Sequence, residues 1–298
     1  MDLTCRENVH FSQNDKESVG HVLAACDPVL LRDPRVWRNL EVLEQSCTIS
    51  GSYFGTVQKE VQPKMRKILT MWMLKVCEDQ RCEHEVFLLA AQFVDRYMAQ
   101  YPMDISNLQL LGAVCIFLAS KIRDTSPLSA TKLCLYSDNT FSIMELLEWE
   151  IEIVSRLNWD LASVLPSDYL EPLLHSLPII PHDISALLRH THSYIALSAT
   201  EFTFSTYRPS VIACSCIAAA IQHLNLLDGG LSCETLLQLM ASTLDSDLVS
   251  LCNCYTALEE ILTTNLPLDL CVSSAHEVSK SPVDFEGVRV SPQTFTHL

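Results

Sequence analysis

Glycine is nearly missing from this chain, with 7 in 298 residues. Strands turn on glycine, so its scarcity disfavours a sheet. With 48% hydrophobic residues and much Leu, Ala, Met, Glu and Gln, the composition points to helices. Basic residues are in deficit as well: 20 Lys and Arg against 36 Asp and Glu leave a formal charge of −16. A polyphosphate partner must be neutralised by Lys and Arg, so no nucleic acid is expected. There is no Gly-rich phosphate loop, no His-Glu-x-x-His, no Gly-x-Ser-x-Gly and no clustered carboxylate pair, so no enzyme activity is expected. No apolar run is read as reaching the ~20 residues of a bilayer span. Met1 to Glu7 carry charge where a signal peptide needs an apolar core. A soluble intracellular protein with no membrane partner is the expectation.

Cysteine, by contrast, is plentiful. The 13 thiols are odd in number, and Cys77, Cys115, Cys134, Cys214 and Cys216 fall inside apolar helical stretches, where free cysteine behaves as a small hydrophobe. They imply a reducing compartment. Cys214 and Cys216, like Cys252 and Cys254, are two apart and diverge on a helix, and no Cys-x-x-Cys pair has a matching partner. No metal and no cofactor are expected. His190 and His192 diverge in the same way and are expected as solvated side chains on or near a helix surface.

Residues 1–26 are polar and unpatterned and read as a mobile arm. Asp33 can cap a helix with Pro34 in its first position, carrying Val36, Trp37, Leu40 and Leu43 inward. After Pro63, the residues Met65, Ile68, Leu69, Trp72, Met73 and Val76 recur with a helical period. Further helices are predicted over 85–100, 107–122, 130–136 and 142–157, completing a five-helix bundle within residues 27–160. The order of lengths then repeats over 166–177, 183–199, 209–224, 233–243 and 246–262, a second unit within residues 161–264. In both units the third helix is apolar nearly all round, at 108–120 and at 211–221, and so must be a bundle centre. Residues 265–298 have no period and read as an exposed tail. The expected fold is therefore all-α, two tandem five-helix units behind an N-terminal helix, with flexible termini.

Five separated motifs then identify a family. Met65-Arg66-Lys67-Ile68-Leu69-Thr70-Met71-Trp72, Val94-Asp95-Arg96-Tyr97, Leu108-Gln109-Leu110-Leu111-Gly112, Ala119-Ser120-Lys121 and Glu148-Trp149-Glu150 resemble the cyclin box in order and spacing. More narrowly, Lys132-Leu133-Cys134-Leu135-Tyr136-Ser137-Asp138-Asn139 and Leu157-Asn158-Trp159-Asp160-Leu161 resemble the D-type cyclins of vertebrates. The resemblance implies two cyclin boxes and a regulatory subunit that activates a G1 cyclin-dependent kinase of the four and six type. It also implies retinoblastoma-family substrates, a place in nucleus and cytoplasm, and possible capture by kinase inhibitors.

The resemblance assigns residues as well. Lys121 and Glu150 would hold backbone groups of the kinase near its regulatory helix; Arg66, Asp95 and Leu110 would be box scaffold, the first two as an internal ion pair across two helices. Met65, Ile68, Leu69, Trp72, Leu108 and Gln109 would line an exposed groove for Arg-x-Leu segments. Lys75 departs from the family here, standing where an acid would meet the incoming arginine. Leu3-x-Cys5-x-Glu7 matches the motif by which D-type cyclins engage the retinoblastoma pocket, Leu3 and Cys5 inserting while Glu7 meets a basic rim. Ser281 and Ser291, each before proline, are minimal proline-directed phosphorylation sites. Two other readings of the same chain are a helical adaptor of cyclin fold without kinase activation and a cyclin-like transcription factor. The charge of −16 opposes the second, which needs a basic DNA-facing surface.

Overall fold

Proline and short polar side chains set where the helices begin. In the computed structural model, which describes residues 27, 29, 33–45, 47–49, 51–177, 184–226, 232–244 and 246–265, α1 (Pro34–Glu44) starts at Asp33, whose carboxylate accepts the Arg35 N–H at 2.9 Å. The first bundle holds α2 (Pro63–Gln80), α3 (His84–Met98), α4 (Leu108–Arg123), α5 (Ala130–Tyr136) and α6 (Ile143–Arg156). The second holds α7 (Leu170–Ser176), α8 (Ile184–Thr200), α9 (Pro209–His223), α10 (Cys233–Thr243) and α11 (Leu248–Asn265). Single 3-10 turns at Ile105–Asn107, Pro166–Tyr169 and Phe202–Thr206 lead into α4, α7 and α9, and no strand occurs among the described residues. The helix predicted over 166–177 is thus broken at Tyr169. Pro172 is the reason: it lacks an N–H and fits only the first turn of a helix, so the α-helix restarts at Leu170.

Both bundles are built round their third helix. Every residue of α4 from Leu108 to Ser120 is buried, and so is every residue of α9 from Pro209 to Ile221. With its leading turn, α4 gives a stretch, Ile105–Arg123, long and apolar enough for a bilayer by length and composition, which corrects the expectation of none. That stretch is mostly buried among the other helices. α2 approaches α4 at Gly112, where a Cβ would sit 2.7 Å from Leu69 Cδ1, so only glycine permits this contact without displacing Leu69.

The N-terminal helix is tied to the second bundle. Glu44, 2% exposed, accepts hydrogen bonds from the Ser210 N–H at 3.0 Å and the Ser210 hydroxyl at 2.9 Å. A carboxylate there meets the unpaired N–H groups and positive end of α9.

The histidines correct an expectation. His190 and His192 are half-buried rather than solvated: α8 packs His192 against the first bundle, while His190 lies beside the Tyr194 ring. The His192 ring stacks on His84 at the start of α3, centroids 4.6 Å apart, and its Nδ1 is buried without a partner. Burial, then the neighbouring His84, push the His192 pKa down to about 4. Below the ordinary value near 6.5 the unfolded chain takes up a proton that the folded chain refuses, so this group's destabilisation grows as pH falls from about 6.5 towards 4. Urea midpoints of His192→Gln should therefore decline less than those of the unmodified chain across that window, with the two curves running parallel above pH 7.5.

Candidate functional site

α6 is fixed at its start by a reciprocal cap: the Glu145 N–H donates to Ser142 Oγ at 3.2 Å, and the Ser142 N–H to Glu145 Oε2 at 2.7 Å. That register buries Leu146, Ile153 and Val154 and turns a second apolar stripe outward. Ile143, Leu147 and Ile151 stand on that outer face at four-residue spacing, with Ile151 73% exposed. On α4, Ile122 is exposed beside Lys121. The two helices meet through the charges: Lys121 Nζ lies 2.5 Å from Glu150 Oε1 and 3.8 Å from the centre of the Phe117 ring, one turn earlier. Cation–π contact and ion pair together hold the lysine at the edge of the stripe. Sequence reasoning found the two charges but not the stripe, although Ile143, Leu147 and Ile151 are apolar at a helical interval that the core residues do not use. It used Trp159 only as part of a family motif and assigned it to no site. This residue is 78% exposed and, like Asn158, has a left-handed backbone with φ 60°, which a bulky side chain rarely adopts.

On α2 and at the start of α4, the proposed docking residues divide by depth. Leu69 and Leu108 have no exposed surface, and Trp72 and Gln109 are 4% exposed, while Met65 and Ile68 are half-buried. Leu69 and Leu108 are therefore core beneath the patch rather than its lining, because α2 packs closely on α4 at Gly112. The Gln109 carbonyl accepts from the Thr140 hydroxyl at 3.2 Å, but its buried amide nitrogen has no partner. Lys75 pairs with Asp79 one turn on, at 3.1 Å. Leu3, Cys5, Glu7, Ser281 and Ser291 lie outside the described residues.

Arg66 and Asp95 form the joint of the molecule. Their side chains are 1% and 5% exposed, and the guanidinium meets the carboxylate twice, Nε to Oδ1 at 2.8 Å and Nη2 to Oδ2 at 2.6 Å. Tyr53 donates to Oδ1 at 2.7 Å and Ser205 to Oδ2 at 2.6 Å, so the carboxylate has four donors. Arg66 Nη1 donates onward to the Thr200 carbonyl at 2.9 Å and the Ala199 carbonyl at 3.2 Å, which are the last of α8. Burial opposes charge on Arg66, yet Asp95 outweighs it and keeps the guanidinium protonated; burial and then Asp95 raise the Tyr53 pKa, so Tyr53 remains a donor. Leu110, expected as scaffold, is buried. Tyr53 and Ser205 could not be foreseen from spacing, because they are separated from Asp95 by 42 and 110 residues.

Two consecutive family models match, the cyclin N-terminal domain over residues 35–162 and the cyclin C-terminal domain over 164–289. The chain belongs to the cyclin family. This cyclin is 45% identical over 245 residues to the G1/S-specific cyclin-D2 of Gallus gallus, covering 82% of this chain and 84% of that protein. It is 43% identical over 283 residues to the G1/S-specific cyclin-D3 of Homo sapiens, covering 95% and 91%. Among solved structures, a viral cyclin from Herpesvirus saimiri superposes with a TM-score of 0.67 at 26% identity, covering 77% of this chain and 97% of its own. It is thus a D-type cyclin, a regulatory subunit with no catalytic site of its own.

Truncating Arg66 to Ala should be among the costliest single changes in this cyclin. It strands a buried carboxylate and releases the end of α8, for a loss of roughly 3–5 kcal/mol. Equilibrium unfolding in urea measures it, and a loss below about 1 kcal/mol, the value of an exposed pair, would show that the joint contributes little.

Proposed function

We propose that this cyclin binds and activates a cyclin-dependent kinase of the four and six type, and directs it to retinoblastoma-family substrates at the G1/S transition, in nucleus and cytoplasm. The observation that carries the reading is the Lys121–Glu150 pair at the edge of an exposed apolar stripe. A protein kinase becomes active when the glutamate of its αC helix is set against the lysine of strand β3. A rigid helical face that grips αC supplies that placement. The stripe of Ile143, Leu147 and Ile151 gives it apolar area, and the charged pair gives orientation, the ammonium donating to a kinase carbonyl and the carboxylate accepting from a kinase N–H. In the free chain the two charges satisfy each other, so neither is left bare.

Substrate choice would come from two further places. The arm with Leu3, Cys5 and Glu7 fits an extended peptide entering a pocket, the residues on one side inserting and the acid meeting a basic rim. The α2 patch fits an Arg-x-Leu segment, whether from a substrate or an inhibitor. Asp79 offsets the repulsion that Lys75 would exert on an arginine.

The double substitution Lys121→Ala with Glu150→Ala removes both charges together, so the fold should lose no more than about 1 kcal/mol. Kinase activation should nevertheless collapse. Circular dichroism and an assay on a retinoblastoma fragment test this side by side, and unmodified activity from a well-folded double variant would sink the assignment.

Cys5→Gly, on the arm, should weaken binding to an isolated retinoblastoma pocket domain while kinase affinity stays as it was. Titration calorimetry with each partner decides it. A pocket Kd unmoved by the substitution would make the Leu-x-Cys-x-Glu match a coincidence.

A further inference from the structure

The corner between α2 and α3 carries two thiols that the activation of a kinase does not use. α2 ends in a tight reversal: Arg81 is left-handed, with φ 53° and ψ 43°. The Cys82 N–H donates to the Cys77 carbonyl at 2.9 Å, and the Arg81 N–H to the Glu78 carbonyl at 3.0 Å. This pair of bonds defines the cap in which the side chains of the last helical turn and of the residue just past the reversal are brought into contact. In most helices those positions hold ordinary hydrophobes. Here both are cysteine, Cys77 within the turn and Cys82 beyond it, so the cap itself sets the two side chains beside each other. Cys77 is buried and Cys82 half-buried, so Cys82 is the more accessible of the two.

We propose that Cys77 and Cys82 form a dithiol that reacts with hydrogen peroxide and closes to a disulfide across the α2 cap. The two sulfurs are inequivalent in the way such a reaction needs. The Cys77 contact and Lys132 of α5 favour the thiolate at Cys82 over the opposing effects of burial and Asp124, so its pKa lies below the ordinary thiol value, while that of Cys77 is held well above it. The Cys82 thiolate attacks one peroxide oxygen; an S–O bond forms, the O–O bond breaks, and the departing hydroxide takes a proton to leave as water. The Cys77 sulfur then attacks Cys82; an S–S bond forms, the S–O bond breaks, and the hydroxyl leaves with the Cys77 proton as a second water. Two thiols lose two electrons and the peroxide gains them. Because the cap already holds the two residues together, closure requires no separation of α2 from α3. In a reducing compartment the bond would be transient and reversible.

Trypsin offers a direct readout, since cleavage after Lys75, Arg81 and Arg96 puts the two cysteines in separate peptides, 76–81 and 82–96. The full chain would be treated with graded hydrogen peroxide, its remaining thiols alkylated, and the digest analysed without reduction. Peptides 76–81 and 82–96 should appear joined, two hydrogens lighter than their sum, at doses that leave the other cysteines alkylated, and dithiothreitol should part them. Cys77→Ala should instead leave a Cys82 sulfenic acid that dimedone captures, provided circular dichroism shows the helices intact. The proposal is overturned if the unmodified chain oxidises elsewhere while 76–81 and 82–96 stay separate, or if Cys82 is found bridged to a different cysteine.

Discussion

An arginine and an aspartate sealed from water hold this molecule together, and the rest of the structure depends on their being satisfied. Isolated, either charge would cost several kcal/mol at such depth. Asp95 receives four donors, and Arg66 gives its remaining N–H groups to the carbonyls that end α8. Three parts of the first box and two of the second must therefore arrive together, since the pair is complete only when Tyr53, α2, α3, the end of α8 and Ser205 are all in place. Glu44 repeats the principle on a smaller scale, joining α1 to the start of α9. Apolar contact between the boxes would tolerate sliding. Directed hydrogen bonds at both places do not, and they make one rigid body of two bundles.

Rigidity is what an activating subunit has to offer. A partner helix can be repositioned only by a surface that yields less than the helix does, and the α4–α6 face rests on the most deeply buried helix of the first box. Its chemistry is divided sensibly. Apolar residues at four-residue spacing provide area without demanding a particular geometry, and one cation and one anion at the edge demand it.

Much of this was legible in the sequence, because helices declare themselves locally. The all-round apolar character of 108–120 and 211–221 placed both central helices, and Asp33-Pro34 and Pro63 placed two starts, since capping and first-turn preferences act within four residues. What stayed hidden depends on the partner across a gap. Leu69 was assigned to the patch by the family resemblance, and neither a resemblance nor spacing tells how near a neighbour comes; Gly112 brings α4 close enough to cover it. His192 was read as solvated because its own helix is polar there, and only the approach of α3 buries it. The outward stripe of α6 lay in plain view. It was missed because one apolar face on a helix is enough to explain its packing, and a second face has meaning only once the first has been assigned to the core.

The account stands or falls on where a kinase sits. Hydrogen–deuterium exchange on the full chain, with and without a cyclin-dependent kinase of the four and six type, reads this directly. Amides at the end of α4 around Lys121 and along the outer turns of α6 from Ile143 to Ile151 should be slowed by the complex, and those of α10 and α11 should exchange as in the free chain. Protection confined to the second box, with the α4–α6 face unchanged, would contradict the assignment.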